Sequence, residues 1–108
     1  MIDIVTNNLQ AIRAACDEYD VELLWVFGSG VRADWVEGNS DVDFIAKFGK
    51  SERTLFRQHM GFIVRLTDIL GTNVDVVDSR SIRRDDFRDE IARTKELIYE
   101  RARRMIPA

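Results

Sequence analysis

Leu23-Leu24-Trp25-Val26-Phe27-Gly28-Ser29-Gly30 leads, after a short interval, into Ser40-Asp41-Val42-Asp43-Phe44, and the reading of these two runs decides the fold. Residues 23–27 are continuously apolar, too short for a helix and rich in strand formers, which predicts a strand buried on both faces. Gly28-Ser29-Gly30 ends it. A second strand is expected over 41–48, with Val42, Phe44, Ala46 and Phe48 on one face and Asp41, Asp43, Ile45 and Lys47 on the other. Side chains at i and i+2 of a strand share a face, so Asp41 and Asp43 point the same way. Two like charges held that close repel, and a cation between them is the ordinary remedy.

Working outward, Val5, Leu9, Ile12, Cys16 and Tyr19 fall at 4-3-4-3 spacing and predict one helix over 3–19, capped by Asp3 or Thr6. Val31 to Val36 suits a turn or two of helix, and Glu37-Gly38-Asn39 a turn. After the second strand, Ser51 is the expected cap of a helix whose Leu55, Phe56, Phe62, Ile63, Leu66, Ile69 and Leu70 keep helical spacing and which Gly71 stops. Gly61 inside it costs stability and marks a close packing contact. Residues 73–78 form a third short strand, with Asp75 and Val77 opposite Val74 and Val76. Ser81 opens a last helix, acidic early at Asp85, Asp86, Asp89 and Glu90 and basic late at Arg101, Arg103 and Arg104, with an apolar side through Phe87, Ile91, Ile98, Ala102 and Met105.

The expected order is α-β-α-β-α-β-α around a three-stranded mixed sheet of order 1-2-3, an α/β fold in one domain over 1–108. If Gly28 and Asp41 share a site, the first two strands run antiparallel. If Asp75 joins them, the second and third run parallel and the helix near 52–70 is their crossover.

Composition narrows the function. The net charge of −3 disfavours a polynucleotide as main partner. No apolar run reaches ~18 residues and no signal-peptide pattern appears, so neither membrane insertion nor export is expected. The single Cys16 excludes an internal disulfide and a cysteine-rich zinc site, which suits a reducing, cytoplasmic setting.

Glycine at 28 and 30 lets backbone N–H groups approach an anion, Ser29 adds a hydroxyl, and Arg32 supplies a fork of donors for the same phosphate. Asp41 and Asp43 are hard oxygen ligands of the kind Mg²⁺ takes together with substrate phosphate and water. Two such ions can position an attacking oxygen and stabilise a leaving pyrophosphate. Asp75 would complete the set as a metal ligand or as the base that takes the acceptor's proton. Each piece alone also fits a turn, a cap or a strand-edge charge. Their convergence points to metal-dependent chemistry on a phosphate.

Gly28-Ser29, eleven residues, Asp41-Val42-Asp43 between apolar neighbours, and a later Val74-Asp75-Val76 resemble the DNA-polymerase-beta-type nucleotidyltransferases. The small size is similar to the minimal nucleotidyltransferases (MNT), the antitoxin half of MNT–HEPN toxin–antitoxin pairs. The resemblance implies nucleotide binding by Gly28, Ser29 and Arg32, and metal binding and catalysis by Asp41, Asp43 and Asp75, with Mg²⁺ as cofactor, two ions being expected. It further implies transfer of AMP from ATP to a tyrosine of a HEPN ribonuclease toxin within a hetero-oligomer. The chain departs from the common Gly-Ser-x-Ala-Arg-Gly form at Val31 and Ala33 and has one more residue before the first Asp than the commonest spacing; Arg32 is kept. The rival expectations are a vestigial site that silences the toxin by occlusion alone, and transfer to a small-molecule hydroxyl.

Other residues carry less. Trp35 is expected to pack beneath its loop rather than stack on a base, and Cys16 to be core. His59, without a Cys or second His nearby, is not expected to bind metal. The arginines at 101, 103 and 104 suit a helix C-terminus.

Overall fold

The computed structural model describes residues 3–27, 41–82 and 95–101. The expected first helix is two: α1 (Asp3–Thr6) and α2 (Leu9–Glu18). The break falls at Asn7-Asn8, where the Asn8 side-chain amide donates to the Ile4 carbonyl at 2.7 Å and so competes with the helical ladder. The apolar stripe survives it, because Val5, Ile12 and Cys16 are all buried. Asp20, at φ 56°, turns the chain into β1 (Val21–Phe27), two residues longer at its start than the apolar run suggests.

Strand β2 (Val42–Phe48) lies antiparallel to β1 and parallel to β3 (Val74–Asp78), as expected from the shared-site argument. Helix α3 (Leu55–Leu70) is the crossover between β2 and β3. Its cap is Thr54, whose Oγ1 accepts from the Arg57 N–H at 3.2 Å. Ser51, the expected cap, instead accepts from the Arg53 N–H within its own turn. Gly71 closes the helix at φ 66°, a left-handed conformation that suits glycine. Ser79–Ser81 form a 3₁₀ turn after β3, and Ser81 donates from its hydroxyl to the Asp78 carbonyl at 2.7 Å.

The expected last helix is corrected over 96–100. Those residues form β4 (Glu96–Glu100), antiparallel to β1, so the sheet has four strands in the order β3-β2-β1-β4. Ile98 fits an apolar helix stripe and an alternating strand equally well. The unpaired edge of β1 decides between them, since its backbone donors and acceptors need partners. The rest of that expected helix, and the elements expected over 31–39, lie outside the described residues.

Helices α2 and α3 cover one face of the sheet. Ile12, Cys16, Phe62 and Leu66 meet Leu24, Val26, Val42, Phe44, Ala46, Val76 and Ile98 there in one core. Gln58 is the buried polar residue of that layer; its amide donates to the carbonyls of Tyr19 (2.9 Å) and Gly49 (3.0 Å), with Asp20 at 3.4 Å. The clamp fastens α3 to the turns at the ends of α2 and β2. Among the described residues no helix is long and apolar enough to cross a membrane.

Candidate active site

The alternation that sends Val42, Phe44 and Ala46 into the core sends Asp43 to the sheet face away from α2 and α3. Strand register then assembles a row. Phe27, the last residue of β1, pairs with Asp43, and Asp43 pairs with Asp75 on β3. Paired residues on adjacent strands point to the same face, so the two carboxylates are lateral neighbours. Asp41 stands immediately before β2, held where the Val42 N–H donates to the Asn73 carbonyl at 3.0 Å.

The three carboxylates lie close enough to act on one another's charge. Asp43 is half-buried and its carboxyl is raised above the ordinary 3.8, first by burial, then by the charges of Asp75 and Asp41. A carboxylate disfavoured by burial and by two like charges is a ready cation ligand. Among the described residues, no three His, Cys, Asp or Glu side chains close around a single point as an all-protein cage would. Mg²⁺ does not need such a cage, because it usually keeps waters and takes substrate phosphate oxygens beside one or two carboxylates. The donor chemistry therefore fits the ion.

The chain leaves β1 at Phe27, beside Asp43. Gly28, Ser29 and Arg32, expected to hold the triphosphate, lie outside the described residues, as does Trp35. His59 Nε2–H donates to the Val76 carbonyl at 2.6 Å, and its ring lies 5.3 Å from that of Phe48. The bond ties α3 to β3 one residue beyond Asp75. Cys16 is fully buried as expected, with burial pushing its thiol up to about 12. Arg101 pairs with Asp20 at 3.3 Å, and the Tyr99 hydroxyl donates to Asp17, so neither extends the site.

Two neighbours of the carboxylate row were not singled out from sequence. Trp25 pairs with Ile45 and therefore shares Asp43's face, and the Lys95 ammonium lies 4.8 Å from its ring centroid. Strand alternation from Phe27 back to Trp25 was a usable signal. Lys95 had none, because it sat inside the expected helix.

A family model for polymerase beta nucleotidyltransferases matches residues 10–104. A candidate protein adenylyltransferase of Methanocaldococcus jannaschii is 31% identical over 83 residues, 77% of this chain and 80% of that protein. A solved structure of a candidate minimal nucleotidyltransferase superposes with a TM-score of 0.69 at 28% identity, covering 88% of this chain and 95% of that one. Two toxin–antitoxin structures share the fold at lower identity. One contains AMP-PNP (TM-score 0.68, 19% identity, 86% of this chain and 73% of that one). The other is a tri-AMPylated Shewanella oneidensis HEPN toxin with its MNT antitoxin (TM-score 0.61, 16% identity, 88% and 71%).

Proposed function

The chain belongs to the polymerase beta nucleotidyltransferase family and is a nucleotidyltransferase; from that premise we propose that it transfers AMP from ATP, with Mg²⁺, to a tyrosine of a HEPN-type toxin and so acts as its antitoxin. The observation that carries the reading is the row Asp43–Asp75 with Asp41 beside it, at the point where the chain leaves β1. The protein-directed acceptor is supported by the adenylyltransferase relative, and the toxin by the fold shared with MNT antitoxins.

In this reading Asp41 and Asp43 hold the metal, and Asp75 faces the acceptor. When bound, Mg²⁺ supplies charge neutralisation for the triphosphate and for the departing pyrophosphate. The tyrosine oxygen attacks the α-phosphorus of ATP, the bond from that phosphorus to the bridging oxygen of pyrophosphate breaks, and the hydroxyl proton passes to Asp75. Gly28, Ser29 and Arg32 orient the phosphates. Asp75, at the β3 edge of the row, is exposed to solvent and accessible to an acceptor carried by another protein.

The test is to incubate the chain with ATP, Mg²⁺ and a HEPN-type toxin encoded beside it. Intact-mass spectrometry should show the toxin gaining adenylyl groups, and Asp41→Asn should abolish both the gain and the neutralisation. Neutralisation that persists with Asp41→Asn and without added mass would assign the antitoxin effect to occlusion and defeat the catalytic reading.

A further inference from the structure

The approach to β4 brings a cation to the carboxylate face. Glu96, the first residue of β4, pairs with Val26, and Leu97 pairs with Trp25. Lys95 therefore stands one step further along, at the level of Phe27, which is also the level of Asp43 and Asp75. Its side chain lies on their face of the sheet, because the ammonium is 4.8 Å from the centroid of the Trp25 ring and Trp25 shares that face. One row across the sheet thus reads Lys95, Phe27, Asp43, Asp75, from a cation through an apolar ring to two carboxylates. Strand spacing puts the Lys95 backbone about 10 Å from that of Asp43, on the side away from Asp75.

The charge of Lys95 is uncommitted. Lys47, on the same face of β2, is held by Glu22 at 3.4 Å, and Arg80, after β3, by Asp78 at 2.8 Å. Among the described residues Lys95 has no carboxylate partner and rests on the Trp25 ring, exposed to solvent. A cation–π contact at an exposed site is weaker than the charge-assisted hydrogen bonds an ammonium makes to phosphate oxygens. A phosphate arriving on this face would therefore draw Lys95 to itself.

We propose that Lys95 binds the β- and γ-phosphates of the nucleotide and neutralises the pyrophosphate as it leaves. In-line displacement fixes the side, since the attacking and departing oxygens stand on opposite sides of the α-phosphorus. An acceptor entering at Asp75, the β3 edge of the row, sends the pyrophosphate towards β1 and β4, where Lys95 stands. Gly28 and Ser29, the expected phosphate-binding residues, follow Phe27 in the sequence, and Phe27 lies between Lys95 and Asp43 in the row. When the bond from the α-phosphorus to the bridging oxygen breaks, its electron pair goes to the pyrophosphate. Lys95 keeps its proton and meets that charge with N–H donors. The inference rests on the transfer reading above and adds to it the residue that receives the leaving group.

Titration calorimetry on the full chain, with Mg²⁺ present, compares ATP, AMP and inorganic pyrophosphate. Lys95→Ala should weaken ATP and pyrophosphate by about tenfold or more and leave AMP, which lacks the β- and γ-phosphates, unchanged. Lys95→Arg should recover most of the loss and Lys95→Gln none of it, with circular dichroism confirming the fold of each variant. Unchanged ATP affinity in Lys95→Ala, an equal loss for ATP and AMP, or a parent chain that binds no ATP overturns the proposal. Mass spectrometry of the toxin separates it from the acceptor reading. A parent that binds ATP through Lys95 without modifying the toxin defeats that reading alone, and full transfer by Lys95→Ala defeats this proposal alone.

Discussion

Replacing Asp43 by Asn should make the protein more stable and inactive at once. The substitution keeps the side chain's shape and removes its charge. Asp43 is half-buried and neighbours Asp75 across the β2–β3 ladder and Asp41 two residues away. Unit charges about 5–6 Å apart repel by ~0.7 kcal/mol in bulk water and ~3 kcal/mol at the effective dielectric of a protein surface. With solvent screening at a site this open, relief of about 1 kcal/mol is expected. For a domain of this size that raises Tm by about 4–8 °C in metal-free buffer. The sign follows from the raised carboxyl. Its favourable contribution is present while the group is protonated and is lost as pH rises through its folded value. The gain from Asp43→Asn should therefore be full near pH 7 and vanish below the ordinary 3.8. Mg²⁺ should reverse the ranking. It stabilises the parent by about 1.4 kcal/mol at tenfold over its Kd and does little for the variant, while adenylyl transfer falls by about 10²–10³ or more. Calorimetry in EDTA and then in Mg²⁺ reads both effects. A variant no more stable than the parent in EDTA, and equally stabilised by Mg²⁺, would refute the shared-cation reasoning.

Gln58→Leu should cost about 2–4 kcal/mol, since the short amide bonds to Tyr19 and Gly49 are lost and buried carbonyls are left unpaired; a lower urea midpoint at unchanged slope checks it. Cys16 should resist maleimide in the native state and react fully in denaturant, because it is fully buried and its thiol is pushed up to about 12. The same burial makes its contribution to stability intact below the ordinary 9.0 and progressively lost as pH climbs towards 12, which alkaline thermal scans would register.

What could be read from the sequence was whatever local periodicity or shared-site geometry determines. The antiparallel β1–β2 and parallel β2–β3 pairings followed from requiring Gly28, Asp41 and Asp75 to share a site, and both strand directions are those observed. Gly61 was legible as a close contact, though not that Tyr19 fills the space. Two features were illegible because tertiary context decides them. Glu96–Glu100 carries an apolar pattern that both a helix and a strand accept, and only the open edge of β1 makes it β4. Asn8 and Thr54 compete with their neighbours as helix breaker and cap, and side-chain bonds of about 3 Å settle matters that propensity leaves balanced.

The same local bonds explain how a repelling pair of carboxylates stays in place. Asp43 and Asp75 carry like charges side by side, so the ladder that holds them must be anchored elsewhere. It is anchored through the first turns of α3. Beyond Asp75, the His59–Val76 bond fastens β3 to α3. One residue earlier on the same helix, Gln58 clamps α3 to the turns at Tyr19 and Gly49. Phe44 and Val76, paired one residue further along the ladder, are buried in the core beneath the row. The carboxylates are thus positioned by an apolar layer on the opposite face of the same strands, which holds them side by side despite their repulsion. Loosening that layer should reduce transfer even with every site residue intact. A kcat lowered by His59→Ala at unchanged Mg²⁺ affinity would place the defect in Asp75's position rather than in metal binding.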